Sequence, residues 1–237
     1  MRTSAKPDVV QWGAERAHVG RWRGDSRTAY LSPVPEGPPP SADFLRRCVD
    51  TLSVRGFVLV VTPALSPIEQ RPFLQAGFER REKLHVLAHD LLDLPPVARR
   101  ATRRGRNRHR SAVLTVDQAA FGPFWRFDEA GLREALTAVP VTRFRVVVEA
   151  HAVVAYAVSG RAAGQGYLQR LAVHPSRQRA GYGASLTADA LHWIRRWGAT
   201  RAVVNTQLGN EAALALYLRL GFRLQPGGLA VLSRELT

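Results

Sequence analysis

The sequence predicts an α/β fold in which two similar lobes follow one another and the first lobe is truncated. Three observations support this prediction: strand-like and helix-like patterns alternate along the chain, two segments share one plan, and a glycine-rich turn stands between a strand and a helix. With 237 residues, 46% of them hydrophobic, the chain is long and apolar enough to bury a sizeable core.

The first part of the chain reads as short strands followed by alternating helices and strands. Weak alternation between glycines predicts two or three strands over residues 9–32. Five prolines between Pro33 and Pro40 then interrupt regular structure, because proline lacks an N–H group. The remaining predictions for this part are a helix over 41–53, a strand over 57–61, a helix over 68–76 and a strand over 84–92.

The middle of the chain is rich in arginine. Residues 97–110 contain seven arginines and one histidine. We expect an edge strand over 97–102, a loop and then the basic start of a helix over 111–120; a phosphate-binding segment is the alternative. The aromatic sequence FGPFWRF (121–127) follows and precedes a helix over 129–138, so it either lines a substrate groove or caps a core.

The last hundred residues contain the stretch that organises the rest of the sequence. An antiparallel pair is predicted over 144–149 and 152–158, followed by a flexible connection at 160–166. A strand over 167–173 then leads through an Arg- and Gly-rich turn into an amphipathic helix that extends to residue 196. The remaining predictions are a strand over 201–206, a helix over 210–220 that ends at Gly221, and a strand over 229–235.

Residues 72–91 and 216–236 share one plan, in which a helix ends at Gly-Phe and an apolar strand follows. A chance match of a common join is the alternative, but the order of elements agrees as well as the letters, which indicates tandem copies. The first copy has consecutive prolines, which lack amide donors, where the second has a glycine-rich turn, so only the second is expected to be active. The corresponding positions are Leu74, Gly77 and Phe78 with Leu218, Gly221 and Phe222, and Phe73 with Tyr217.

The composition limits the classes of function. Lys and Arg number 34 against 19 Asp and Glu, a net charge of +15 that would attract nucleic acid, a polyphosphate cofactor or an acidic protein. The single cysteine, Cys48, excludes an internal disulfide framework and a cysteine-rich zinc site. Together with the absence of a secretory signal or a membrane-length apolar run, it predicts a cytoplasmic protein. The seven histidines are scattered, so no metal is expected.

The turn QRAGYGA (178–184) carries the clearest chemical signal. Gln178, Gly181 and Gly183 form a Q-x-x-G-x-G pattern between the strand and the helix. Glycines let the backbone come close to a ligand, and the free N–H groups at the start of a helix attract an anion. We interpret the turn as a cradle for the pyrophosphate of an acyl-CoA; an ordinary strand–helix turn is the alternative.

Asn210 and Tyr217 lie seven residues apart on the last predicted helix and therefore on one face of it. Acylation of an amine by an acyl-CoA expels a thiolate, and a positioned phenol can donate a proton to it. The plain alternatives are that Asn210 is only a helix N-cap and that Tyr217 is a core aromatic residue.

Taken together, LAVHP, Q-x-x-G-x-G and the later N-x6-Y-x3-GF resemble the GNAT superfamily of acyl-CoA N-acyltransferases. The resemblance is specific over 141–237, weaker from residue 97, and faint but ordered over 9–94. It implies a mixed, mostly antiparallel sheet flanked by helices in two GNAT-like lobes. Residues 1–94 would form a degenerate, truncated lobe and residues 95–237 an acetyl-CoA-binding domain.

The resemblance also implies roles for individual residues. The main chain of Leu171, Ala172 and Val173 would pair with pantetheine, Asn210 would lie beside the pantetheine arm, and Tyr217 would be the general acid. Arg177 and Arg179 would reach the nucleotide phosphate. Backbone N–H groups would bind the pyrophosphate at Gln178, Arg179, Ala180, Gly181, Tyr182, Gly183 and Ala184.

The general base is not assigned by the resemblance. N-terminal acetyltransferases of the ribosomal-protein type, which the second copy resembles, have a glutamate five residues before the asparagine, whereas this chain has Asn205, which cannot take a proton. Glu149, near the turn of the predicted strand pair, is our candidate. The remaining alternatives are His174, Glu129, Asp117 and an amine that arrives already neutral.

We therefore predict direct transfer of an acetyl group from acetyl-CoA to a primary amine, either a peptide N-terminus or a small-molecule amine. The expected partners are acetyl-CoA and this acceptor, without a metal and without a membrane, and the oligomeric state is left open. A non-catalytic acyl-CoA-binding or regulatory protein is the first alternative. A basic nucleic-acid-binding protein is the second and less favoured one, because the arginine-rich segment lacks interleaved aromatic residues for base stacking.

Overall fold

The computed structural model describes residues 8–34, 37–96 and 102–236. Within these ranges no helix is both long and apolar enough to cross a membrane. The elements in chain order are β1 (Asp8–Trp12), β2 (Glu15–Arg21), β3 (Thr28–Pro33), α1 (Ala42–Val54), β4 (Leu59–Leu65), α2 (Pro67–Gln75), β5 (Glu79–His89), β6 (Arg103–Arg104), α3 (Arg110–Ala120), α4 (Glu129–Thr137), β7 (Val141–Glu149), β8 (Ala152–Ala162), β9 (Gln165–Val173), α5 (Tyr182–Arg196), β10 (Arg201–Gln207), α6 (Glu211–Arg219), β11 (Arg223–Leu224) and β12 (Leu229–Glu235).

The chain forms two compact units, and the first comprises residues 1–84 and 227–237. Its strands follow the order β1-β2-β3-β4-β12-β5, in which only β3 and β4 are parallel. Helix α1 begins at its N-cap Ser41, whose hydroxyl accepts a hydrogen bond from the Phe44 N–H (3.1 Å). The apolar face of α1, including Phe44, Cys48 and Leu52, is fully buried in the core of this unit.

The second unit comprises residues 85–226 and contains the predicted site. Its strands follow the order β5-β10-β9-β8-β7-β6, with β9 and β10 parallel and β11 beside β5. Alternate residues of β8 enter two cores: Ala155 and Ala157 pack with α5, whereas Tyr156 and Val158 pack with α3 and α4. Helices therefore cover both faces of this sheet.

The sheet in each unit is mixed and mostly antiparallel, and the predicted fold class is confirmed. The compact units divide the chain at residue 84 and include residues 227–237 in the first, because β12 pairs with β4 from Ala230↔Leu65 to Glu235↔Leu59. The sequence gives no local sign of this long-range pairing. The division by function remains a prediction: a lobe without a cofactor site over residues 1–94 and a cofactor-binding domain over residues 95–237.

The shared plan of the two segments is visible in their hydrogen bonds. Gly77 (φ 82°) and Gly221 (φ 88°) both adopt the left-handed conformation that ends a helix. The Phe78 N–H donates to the Phe73 carbonyl at 3.0 Å, and the Phe222 N–H donates to the Tyr217 carbonyl at 3.1 Å. The corresponding helix ends are thus built in the same way.

Several predicted boundaries of secondary-structure elements were wrong. The flexible connection at 160–166 is instead strand on both sides of a tight turn at Ala163–Gly164, because Gly160 and Gly166 are needed for packing. A Cβ atom at Gly166 would lie 2.2 Å from Ile194 Cγ2. Strand β4 begins at Leu59 rather than at residue 57, and β5 begins at Glu79 rather than at residue 84. Most of the strand predicted at 97–102, and residues 35–36 of the proline-rich stretch, lie outside the described residues.

Candidate active site

A gap opens between the two parallel strands of the second unit. Strands β9 and β10 pair at Gln165↔Arg201, Gly166↔Ala202 and Tyr167↔Val203, and in the described residues their pairing extends no further. Beyond that point, the segment 171–173 pairs only with β8 on its other side. The edge of this segment that faces β10 therefore offers backbone N–H and C=O groups to a ligand.

The turn that follows β9 leaves the start of α5 open. Gly181 is the N-cap with φ 85° and ψ 1°, and no side chain caps the helix. The Ser185 N–H makes the first helical bond to the Gly181 carbonyl (3.0 Å), so the helix itself does not use the N–H groups of its first three residues, Tyr182 to Ala184. These groups and the helix dipole favour an anion at this end.

Two other positions of the turn modify the sequence prediction. The Gln178 N–H donates to the Pro175 carbonyl (3.3 Å), so this amide takes part in the turn itself. Gly183 is needed for packing as well as for ligand approach, because an added Cβ would lie 3.2 Å from Leu216 Cδ2 and 3.8 Å from Val173 Cγ2. The start of α5 thus lies against both β9 and α6.

Helix α6 carries the predicted asparagine and tyrosine. Asn210 is the N-cap of α6, and its Oδ1 accepts a hydrogen bond from the Ala213 N–H (3.1 Å). This is the structural role that was the alternative to a role in cofactor binding. This cap leaves the Asn210 Nδ2 group as a donor. Within the described residues, no side-chain hydrogen bond connects Asn210 with the turn before α5.

Tyr217 lies in the core between α5, α6 and the sheet, as a core aromatic residue would. Its ring lies 5.5 Å from that of Phe222, and it shares an apolar cluster with Tyr182 and Leu186. Burial raises the pKa of the Tyr217 phenol, so the hydroxyl stays protonated at neutral pH. Within the described residues this hydroxyl has no hydrogen-bond partner, which leaves its proton available to a ligand.

Glu149, at the end of β7, is connected to the start of α5. Its Oε1 accepts a hydrogen bond from the Tyr182 hydroxyl (2.9 Å), and its Oε2 lies 3.0 Å from Arg177 Nε. The Arg177 contact is an ion pair without hydrogen-bond alignment; the side chains are 40% exposed for Glu149 and 51% for Arg177, although the Glu149 Oε2 atom itself is buried. Such a pair contributes little and exchanges easily.

The other candidate bases are engaged elsewhere. Asp117 is fully buried and forms a bidentate pair with Arg170, which leaves no free oxygen for an amine. His174 Nδ1 lies 2.8 Å from Ser176 Oγ and caps a short 3-10 turn, and Glu129 lies in the first turn of α4. Asn205 is an exposed residue of β10. Among the described residues there is no cluster of three or more potential metal ligands.

Sequence reasoning missed Arg170, although its position gave a signal. It occupies an inward position of the alternating strand YLQRLAV, between Leu168 and Ala172, and is only 8% exposed. A charge at such a position requires an opposite charge. Asp117 is the first acidic residue after a long stretch without one, and it supplies that charge.

Comparisons with known proteins agree with this geometry. Residues 112–222 match the model of the acetyltransferase (GNAT) family. No curated protein sequence matches the chain. The mixed, mostly antiparallel sheet flanked by helices matches the GNAT fold of solved structures. Residues 112–222 form a GNAT acetyltransferase domain, and the resemblance found in the sequence is confirmed.

Solved structures show the same fold over nearly the whole chain. A GCN5-related N-acetyltransferase from Kribbella flavida is 17% identical, with a TM-score of 0.64 over 97% of this chain and 89% of that one. A similar protein from Sphaerobacter thermophilus is 16% identical, with a TM-score of 0.61 over 94% and 77%. A tandem GNAT protein from the clavulanic acid biosynthesis pathway is 12% identical, with a TM-score of 0.68 over 97% and 82%. The family supports acyl transfer from an acyl-CoA to an acceptor as the general class of reaction.

Proposed function

We propose that the protein transfers an acetyl group from acetyl-CoA directly to a primary amine, which is a peptide N-terminus or a small-molecule amine. The observation that carries this proposal is the open start of α5 directly after the unpaired edge of β9. Left-handed Gly181 and the uncapped first turn suit a pyrophosphate, and the adjoining strand edge suits the amide groups of pantetheine. The second unit offers both features in sequence.

Three parts of acetyl-CoA have proposed contacts: the pantetheine arm, the nucleotide phosphate and the pyrophosphate. The main chain of Leu171, Ala172 and Val173 would bind the pantetheine amides, and Asn210 Nδ2 would lie beside the same arm. Arg177 and Arg179 would bind the nucleotide phosphate, for which the arginine fork is well suited. The pyrophosphate would be bound mainly by the N–H groups of Arg179, Ala180, Gly181, Tyr182, Gly183 and Ala184, with a smaller contribution from Gln178.

Tyr217 is the proposed general acid. Its pKa is raised by burial, so the phenol carries its proton at the pH at which a thiolate leaves. Donation of that proton to the departing sulfur would complete the transfer without a covalent enzyme intermediate. Cys48 belongs to the first unit, and burial raises the pKa of its thiol to about 12, which is unfavourable for a cysteine relay.

Glu149 is the proposed general base, and the cofactor would release it. Arg177, whose side chain is half-exposed, now neutralises Glu149 through an ion pair, and a phosphate would compete for the same guanidinium. Once Arg177 turns to the phosphate, Glu149 Oε2 becomes free to take a proton from the acceptor amine. Glu149→Gln should therefore lower kcat and remove the ionisation of the base from the pH–rate profile, whereas an unchanged profile would exclude Glu149.

The test of the function is a scan for CoA release. The wild-type protein is incubated with acetyl-CoA and a panel of peptides with different N-terminal residues and of small amines, and free thiol is measured. Release that depends on an amine supports the enzyme. The second candidate, a non-catalytic acyl-CoA-binding protein, is favoured by Asn205 and by the engagement of both Glu149 oxygens. It predicts binding of acetyl-CoA without release of CoA by any amine.

A further inference from the structure

A buried ion pair connects the α3 helix with the strand that precedes the candidate site. Arg170 Nε lies 2.8 Å from Asp117 Oδ2, and Arg170 Nη2 lies 2.9 Å from Asp117 Oδ1. The Tyr156 hydroxyl donates a third bond to the same carboxylate, and the proximity of this carboxylate adds to burial in raising the pKa of the Tyr156 phenol. Removing one member of such a pair would leave an uncompensated buried charge.

The same two residues hold the loop 121–127 that joins α3 to α4. The Phe127 N–H donates to Asp117 Oδ1 (2.6 Å), and Arg170 Nη2 donates to the Trp125 carbonyl (2.6 Å). The guanidinium carbon of Arg170 lies 3.5 Å from the centre of the Phe121 ring and 4.0 Å from that of Phe127. The loop is therefore fixed at two main-chain positions and at two aromatic rings.

The position of Arg170 in β9 connects the ion pair and the loop with the proposed pantetheine-binding edge. It directly precedes Leu171, the first residue of the strand edge that the proposed function assigns to pantetheine. The β8–β9 register shifts between Val158↔Arg170 and Ser159↔Leu168, so Gln169 is an extra residue in β9 just before it. Arg170 thus connects the loop directly to the strand along which the thioester would lie.

We propose that Arg170, held by Asp117, is a positioning residue that fixes loop 121–127 against β9 as a preformed wall for the acceptor. This inference rests on the proposed function. Phe124 and Trp125, in an edge-to-face pair with ring centres 5.1 Å apart, are partly exposed on this loop. Two partly exposed rings favour an acceptor that carries an apolar group next to its amine.

The test compares Arg170→Lys with a matched control, Arg143→Lys. Arg143 also forms a bidentate pair, with Asp189 at 2.9 and 3.0 Å, but within the described part of the chain its hydrogen bonds connect β7 with α5 and not with the loop. Lysine keeps the charge and loses the fork and the stacking. We expect Arg170→Lys to raise the KM for the acceptor about tenfold or more, with the Kd for acetyl-CoA within about twofold of wild type. Arg143→Lys should change neither constant.

A second variant and a second measurement keep the test decisive. The double change Asp117→Asn with Arg170→Met leaves no buried charge and keeps an amide oxygen as acceptor for the Tyr156 hydroxyl or the Phe127 N–H, so it should fold and show the same high acceptor KM. Hydrogen exchange of the amides in 122–127 should become faster in Arg170→Lys and stay slow in Arg143→Lys. This readout does not need turnover.

The outcomes separate this proposal from the proposed function. An unchanged acceptor KM in Arg170→Lys, or an equal loss of acetyl-CoA affinity, would overturn the positioning role. Unchanged exchange in the loop would overturn it as well. If the wild-type protein releases no CoA with any amine, the proposed enzyme fails, and hydrogen exchange still decides whether Arg170 orders the loop.

Discussion

Replacing Gly181 by leucine separates binding of the pyrophosphate from the stability of the helix that would bind it. Gly198 provides a matched control at the other end of α5. Both glycines have positive φ, 85° for Gly181 and 82° for Gly198, and an added Cβ at either position has no heavy atom within 4 Å. A residue with a Cβ atom therefore meets similar backbone strain at both ends, and the Cβ atom itself clashes at neither.

The expected losses of stability and of affinity follow from the backbone strain and from the position of each glycine. A left-handed non-glycine residue costs about 1–2 kcal/mol, and 1 kcal/mol shifts the Tm of a protein of this size by about 2–4 °C. Both variants should lose similar amounts of thermal stability. At Gly181 alone the new side chain would fill the space of the pyrophosphate and cover N–H groups, each worth about 1.5–3 kcal/mol when bonded to a charged group.

Loss of two such bonds predicts that Gly181→Leu binds acetyl-CoA at least ~100-fold more weakly than wild type. Gly198→Leu should bind within about twofold of wild type, because it is far from the first turn of α5. Titration calorimetry measures both affinities, and thermal unfolding measures both stabilities. Equal affinities of the two variants for acetyl-CoA would refute the assignment of the pyrophosphate to this turn.

Two further substitutions and one labelling experiment test other residues. Tyr217→Phe should lower kcat by about 10²–10⁴-fold, the usual contribution of a general acid, and leave the Kd for acetyl-CoA within about twofold; an unchanged kcat in steady-state assays would remove Tyr217 as the acid. Burial lowers the pKa of His89 from 6.5, so the unfolded chain binds more protons between the folded pKa and 6.5, and stability falls as pH drops through that window by up to about 1.4 kcal/mol per pH unit. Urea unfolding at pH 7.5 and 5.5 should show a smaller loss for His89→Gln than for wild type, and equal losses would contradict this role. Cys48, whose pKa burial raises to about 12, should react with a disulfide reagent only after unfolding, and fast labelling of the folded protein would contradict its burial.

The sequence predicted local elements well where their signals are local. Helix α1 begins after its predicted cap Ser41, and β12 has the predicted bounds 229–235. The strand–turn–helix around Gly181 also follows the prediction, because the positive φ needs glycine and the helix needs its amphipathic face.

Contacts between residues far apart in the chain could not be predicted from the sequence. β12 pairs with β4, about 170 residues earlier in the chain, because both strands offer an unpaired edge and apolar faces, and neither property specifies a partner. The two-residue strand β11 is too short for a periodic pattern. The Asp117–Arg170 pair joins residues 53 positions apart.

In the candidate site, too, local features could be predicted and contacts between distant residues could not. The shape of the glycine-rich turn could be predicted, because the left-handed conformation at Gly181 requires glycine; its role in binding a phosphate stays a prediction. The fixing of loop 121–127 could not be predicted, because it depends on Arg170, which lies on a strand that follows the loop by more than forty residues. Glu149 was named from the sequence as the candidate base, but its contacts with Tyr182 and Arg177 could not be predicted, since they join three separate elements.

Calorimetric titration of the wild-type protein with acetyl-CoA is the decisive measurement for a single cofactor site in the second unit. The open start of α5 in the second unit, and the prolines at the corresponding place in the first copy, predict one binding site per chain. That site should be lost in Gly181→Leu and kept in Gly198→Leu. A titration with no binding, or with two equivalent sites per chain, would contradict the account.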